Sequence, residues 1–172
     1  MSSRAEENPR SGQAETPTTF NLLFVCTGNT CRSPLAAAIA EDMIARRGWH
    51  NVSVRSAGAS AGAGAPASPL AVHVAQEHGL DLSRHASQPL TRPLVEWADA
   101  IIAMGAWHAD VVAELGGADK VSLASEFIDG SDADSEIPDP IGSDVTVYRA
   151  TYTVLSYVAK GVLDRLEAIL AP

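Results

Sequence analysis

A short apolar run, Asn21-Leu-Leu-Phe-Val25, opens directly onto the polar stretch Cys26-Thr-Gly-Asn-Thr-Cys-Arg-Ser-Pro34. The run is bounded by turn residues and reads as a buried parallel strand. Ser33 is a favoured N-cap and Pro34 a favoured first helical residue, so a helix starts where the polar stretch ends. Leu35, Ile39 and Met43 recur every four residues, and Gly48 stops the helix. A loop that leaves a strand and enters a helix collects backbone amides and the positive end of the helix dipole on one point. This junction constrains the fold more than any other part of the chain.

The remaining segments repeat the alternation. Asn51 to Arg55 reads as a second strand, Ala98 to Met104 as a third and Val121 to Ala124 as a fourth. Helices are expected from Pro69 to His78, as a short turn after Pro93, from Ala106 to Leu115 and from about Ser143 to Leu170. The Gly- and Ala-rich stretch Ala57 to Ser68 reads as a flexible connector. Strands alternating with helices predict an α/β fold: a single-domain, three-layer structure with a four-stranded parallel sheet and helices on both faces. In such sheets ligands sit at the carboxyl ends of the strands, where the first loop lies. Met1 to Thr19 is polar and Pro-containing with almost nothing to bury, and reads as a disordered tail before a domain spanning 20–172.

Composition narrows the function classes. The chain has 172 residues and a net charge of -9, a balance that argues against nucleic acid and anionic membrane as partners. No apolar run approaches the ~20 residues a membrane helix requires. The N-terminus has no apolar h-region of a secretory signal. The two cysteines, Cys26 and Cys31, are too close to form a stabilising framework, which points to thiol chemistry in a reducing, cytoplasmic compartment.

That chemistry is legible in the loop. Cys26 sits where converging amides favour the thiolate. Gly28 and Asn29 tolerate the positive φ needed to turn amides inward. Arg32 offers a planar fork of donors suited to phosphate oxygens, and Ser33 can hydrogen-bond the sulfur. Neither G-x-x-x-x-G-K-S/T nor G-x-G-x-x-G occurs at a strand–helix junction, so the nucleotide loops are set aside. His50, His73, His78 and His108 share no ligand spacing and are assigned to the surface or to helix ends, with no metal or cofactor implied. Asp129, Asp132, Asp134 and Glu136 lack calcium-loop order and read as a solvated acidic rim that biases the site toward cationic substrates. Trp49, Trp97 and Trp107, with Tyr148, Tyr152 and Tyr157, are read as packing residues.

The loop C-T-G-N-T-C-R-S-P resembles the active-site loop of the low-molecular-weight protein tyrosine phosphatases. Ser56-Ala-Gly58, the S-x-H-x-S stretch Ser83 to Ser87, and Asp139-Pro140 extend the likeness over about residues 20–170. The resemblance implies that Cys26 forms a phosphocysteine, while Arg32 and the loop residues Thr27, Gly28, Asn29, Thr30 and Cys31 hold the phosphoryl group. It makes Asp139 the general acid and then the base that activates water, and it places Asn29 and His85 in a network supporting the loop. Cys31 either captures an oxidised Cys26 as a disulfide or packs beneath the loop.

Branches of the family differ before the second loop cysteine, where tyrosine-specific members commonly carry an aliphatic residue and protein-arginine phosphatases carry Thr. This chain has Thr30. Ile141 stands where tyrosine-type enzymes place an aromatic residue, although arginine-type members carry Phe there. Gly105 stands where tyrosine-type members often have Asp. The resemblance therefore implies a protein-arginine phosphatase acting as a monomer on phosphorylated proteins. The alternative is a protein-tyrosine phosphatase of the same mechanism, and a non-catalytic phosphate-binding regulator is a third reading.

Overall fold

A computed structural model describes residues 19–132 and 134–170. The expected tail, apart from Thr19, lies outside the described residues. Four strands, β1 (Phe20–Cys26), β2 (Val52–Gly58), β3 (Ala100–Ala103) and β4 (Val121–Leu123), form one sheet in the order β2-β1-β3-β4. Every pairing is parallel. Helices α1 (Arg32–Arg46), α2 (Pro69–Glu77), α3 (Arg92–Trp97), α4 (Ala106–Val112) and α5 (Val145–Leu170) cover the sheet.

Side chains alternate across β1, and two cores follow from that period. Leu22 and Phe24 face the side packed by α1, α2 and α5, through Leu35, Ile39, Val74, Leu155 and Leu163. Leu23 and Val25 face the opposite side, with Ile101, Leu94, Val95 and Val112. These β1 residues are 0% exposed, which explains why the strand reads as a continuous apolar run. The three-layer, four-stranded parallel architecture expected from the sequence is the one present.

The sheet order places the site. The chain passes from β1 to β2 on one side, then crosses to β3 on the other. The carboxyl end of β1 is therefore the topological switch point, where the outgoing connections diverge and leave a crevice.

Several boundaries differ from expectation for identifiable reasons. β2 continues to Gly58 because Ala57 and Gly58 pair with Val25 and Cys26, so the first residues of the supposed connector are strand. α1 begins at Arg32 with Cys31 in the cap position, and no side chain caps it. Ser33 is therefore not the N-cap; its hydroxyl is committed elsewhere. Asp144 Oδ1 accepts from the Val147 amide and starts α5 slightly later than expected. α4 ends at Val112, and a wider turn runs to Gly117 with Gly116 at φ 94°. Residues 59–68 are not a flexible connector. The amides of Ser60 and Ser68 donate to the carbonyls of Thr27 (2.9 Å) and Thr30 (2.9 Å), and the Gly64 amide donates to Ser87 (2.8 Å). Among the described residues no helix is long and apolar enough to cross a membrane.

Candidate active site

The loop between β1 and α1 is shaped from inside by Asn29. This residue is 0% exposed and holds φ at 55°, a left-handed conformation that Asn tolerates better than most residues. Its Nδ2 donates to Ser33 Oγ (2.8 Å) and Ser56 Oγ (2.9 Å), and its Oδ1 accepts from the Gln88 amide (3.0 Å). Its carbonyl, which can only accept, takes the Nε2–H of His85 at 2.6 Å. Ser33 Oγ lies 2.9 Å from Cys26 Sγ. Since Asn29 already occupies an acceptor lone pair of that hydroxyl, the Ser33 hydrogen is shared between the sulfur and the more distant Ala57 carbonyl at 3.4 Å. Sequence reasoning paired Ser33 with Cys26 and Asn29 with His85; the structure joins all four into one chain.

Arg32, in the first turn of α1, is 2% exposed, and both of its Nη atoms are engaged. Its Nη1 donates to Glu136 Oε1 (2.9 Å) and the Ile137 carbonyl (2.8 Å). Its Nη2 donates to Thr27 Oγ1 (3.3 Å) and Asp139 Oδ2 (3.4 Å). A buried guanidinium requires such partners. Asp139 also accepts the Ile141 amide on Oδ1 (3.1 Å), a short turn that holds its carboxylate beside the loop. Cys26, Gly28, Thr30, Cys31, Arg32, Asp139 and Ile141 line one narrow cavity. The loop and the distant Asp-Pro segment are thus brought together as the sequence reading required.

Cys31 Sγ lies 3.2 Å from Ser68 Oγ and 3.4 Å from the Tyr148 hydroxyl. Ser68 Oγ donates to Tyr148 at 3.1 Å. Burial, then the contact with Cys31, pushes the Tyr148 phenol up to about 12. Both cysteines are free thiols.

Two residues depart from the sequence expectation. His108 was assigned to a surface or helix end, yet it is 1% exposed, with Nε2 2.8 Å from Thr27 Oγ1. Burial and the nearby Arg32 charge lower its pKa. Glu136 was assigned to a solvated rim, yet it pairs with Arg32 while keeping contact with water. A signal for both was present: β3 also ends at the switch point, so the residues after Met104 and those that pack on them belong to the site. The Ile137 amide donates to the Met104 carbonyl at 2.8 Å and pins the acidic segment there. Among the described residues no group of three His, Cys, Asp or Glu side chains is placed to hold a metal ion.

Comparison with known proteins agrees with this geometry. Residues 21–170 match the family model for low molecular weight phosphotyrosine protein phosphatase. A protein-arginine-phosphatase of Bacillus subtilis is 38% identical over 150 residues, spanning 86% of this chain and 97% of that protein. The low molecular weight protein-tyrosine-phosphatase Wzb of Escherichia coli is 34% identical, spanning 86% and 96%. A solved mutant of the YwlE arginine phosphatase with a phosphorylated active-site serine superposes with a TM-score of 0.79 at 37% identity, covering 86% of this chain and 96% of that one. The chain belongs to the low molecular weight phosphotyrosine protein phosphatase family.

Proposed function

We propose that this chain is a cytoplasmic protein-arginine phosphatase that hydrolyses phosphoarginine through a phosphocysteine at Cys26. In the first step the Cys26 thiolate attacks phosphorus, a P–S bond forms, and the P–N bond breaks with its electron pair leaving on the guanidine nitrogen. The Asp139 carboxyl gives that nitrogen its proton. In the second step water attacks phosphorus, Asp139 carboxylate takes the water proton, and the P–S bond breaks to return the thiolate and inorganic phosphate. Ser33, at 2.9 Å from the sulfur, favours the anion both as nucleophile and as leaving group. Arg32 and the amides of Thr27 through Cys31 neutralise the phosphoryl oxygens in a site built before the substrate arrives. The phosphorylated serine in the related arginine phosphatase supports covalent transfer to the residue in that place.

The observation that carries the choice of substrate is Thr30 in the cavity lining. Its hydroxyl offers a hydrogen bond to a polar guanidinium, where an aliphatic side chain of similar width would favour an aromatic ring. Two neighbours support it. Ile141, 59% exposed, gives no aromatic wall to stack on a phenol, and the carboxylates of Glu136 and Asp139 beside the cavity suit a cationic leaving group. The tyrosine-phosphatase reading is favoured by one observation, that Ile141 is not the Phe of arginine-type members.

Turnover of matched phosphoarginine and phosphotyrosine peptides separates the two readings. Thr30→Ile keeps a β-branched side chain of similar width and removes one hydrogen bond worth roughly 1.5–3 kcal/mol to a charged group. The relative kcat/KM should move toward phosphotyrosine by about ten- to a hundred-fold. A parent protein inactive on phosphoarginine, or an equal loss on both substrates in the variant, returns the assignment to phosphotyrosine.

A further inference from the structure

His108 enters the site from the third residue of α4, just beyond the end of β3, and is nearly as buried as the core around it. Its Nε2 is 2.8 Å from Thr27 Oγ1, the oxygen that also takes the Arg32 Nη2 hydrogen at 3.3 Å. Arginine has no acceptor, so Thr27 Oγ1 is the acceptor in that second bond, and the Thr27 hydroxyl hydrogen remains to be placed. The charged groups facing the imidazole are Arg32, Glu136 and Asp139, and Trp107 lies edge-on against its ring. Burial, then the Arg32 cation, hold the ring below its ordinary pKa, against an opposite pull from the two carboxylates and the Gly105 backbone. Near neutral pH the ring is uncharged and has a lone pair to offer.

We infer that His108 is a positioning residue for Arg32: its Nε2 accepts the Thr27 hydroxyl hydrogen and so turns a lone pair of Thr27 Oγ1 toward Arg32 Nη2. The inference rests on the phosphatase reading above. Every other partner of the guanidinium, Glu136, Ile137 and Asp139, belongs to the acidic segment. Among the described residues, Thr27 is the guanidinium's one hydrogen-bond partner in the loop that carries Cys26. With Thr27 misdirected, Arg32 is held only by the acidic segment, and its donors are drawn away from the point where the loop amides converge. Loss of His108 should therefore weaken binding of the phosphoryl oxygens more than it slows the chemistry on Sγ.

The test compares His108→Leu, His108→Gln, Thr27→Val and the double variant His108→Leu/Thr27→Val, all in the full chain. Inorganic phosphate affinity is read by titration calorimetry and KM and kcat with p-nitrophenyl phosphate. His108→Leu and Thr27→Val should each weaken phosphate binding and raise KM by about ten-fold, the loss of one hydrogen bond in a charged network. The double variant should lose no more than either single, because both cut the same link. His108→Gln places an amide oxygen where Nε2 stood and should stay within about two-fold of wild type. The affinity ratio of wild type to His108→Gln cancels ionisations common to both proteins. It should be constant near neutrality and fall only on acidification, as the ring gains a proton and loses the lone pair that takes the Thr27 hydrogen. Unchanged phosphate affinity in His108→Leu, multiplied losses in the double variant, a Gln variant as poor as Leu, or a ratio that rises on acidification overturns the inference. Because calorimetry needs no turnover, a wild type that binds phosphate and hydrolyses nothing sinks the phosphatase reading alone.

Discussion

Gly58 is the position where a single added carbon should do most damage to the loop. Its backbone does not adopt a positive φ, so conformational freedom is not the reason for glycine there. The reason is contact: a Cβ would lie 2.5 Å from the Thr27 carbonyl oxygen, 2.6 Å from Ala61 Cβ and 2.9 Å from the Asn29 amide nitrogen. Two of these neighbours are backbone and cannot rotate away. The Ala59 and Ser60 amides donate to the Cys26 and Thr27 carbonyls at 2.8 and 2.9 Å, so relief of the clash must stretch bonds that anchor the loop. Overpacking of this kind costs about 1–3 kcal/mol, and each strained hydrogen bond adds about 1 kcal/mol, giving roughly 3 kcal/mol for Gly58→Ala. Gly62 supplies the control. Nothing lies within 4 Å of its Cβ position and its φ is not positive, so Gly62→Ala should stabilise by about 0.4–1 kcal/mol through the unfolded chain. Urea unfolding gives both values, and kcat/KM on an aryl phosphate reports the loop. If Gly58→Ala unfolds within about 0.5 kcal/mol of wild type with unchanged kinetics, the close approach of β2 to the loop does not set its shape.

Cys26→Ser should abolish turnover of aryl phosphates while calorimetry still detects phosphate or vanadate binding, since Arg32 and the amides remain; substantial residual turnover contradicts the covalent route. Asp139→Asn should slow chemistry by ~10²–10⁴ on substrates with poor leaving groups and far less on activated aryl phosphates, and equal losses on both mark Asp139 as structural. Tyr148 carries a phenol raised to about 12. Its contribution to stability is complete below the unfolded value of ~10 and lost as pH rises through the folded value, because the unfolded state releases its proton first. Melting temperatures should therefore show the advantage of wild type over Tyr148→Phe shrinking above pH ~10, and a gap that is constant or widens there refutes the assignment.

The parts of this protein legible in its sequence are those whose cause is local. Leu22 to Val25 read as a buried strand because both faces of β1 are covered. The sheet order is not written in any one segment, but strand–helix alternation admits few topologies, and any of them puts the Cys26 loop at a strand end. Ser33 shows where local reasoning fails. A Ser before Pro is a good cap, yet here its hydroxyl lies against Cys26 and the helix starts two residues earlier without a side-chain cap. The chemistry of the site overrode the capping preference. His108 and Glu136 were misread for another reason. Their roles exist only after β3 and the acidic segment fold back onto the loop, and no spacing within either stretch records a partner over 80 residues away in sequence.

Gly105 ties these non-local features together. Its φ of -161° is ordinary extended backbone, yet a Cβ there would meet Glu136 Cγ at 2.8 Å and Cδ at 3.0 Å. Gly105 thus leaves the space in which Glu136 lies while it reaches Arg32. An Asp at this position, the residue noted for tyrosine-type members, would collide with that side chain and set two carboxylates against each other. Glycine at 105 and glutamate at 136 are therefore physically coupled. One removes a side chain at the end of β3, and the other fills the space with a carboxylate that takes an Arg32 donor. The Ile137–Met104 backbone bond holds the acidic segment at the height where this exchange works. His108, three residues beyond Gly105, meets Arg32 from the other side through Thr27. The end of β3 consequently governs both sets of contacts on the guanidinium, those from the acidic segment and those from the loop. A change in leaving-group preference within this architecture can arise at β3 as readily as at Thr30, through residues that never touch the substrate.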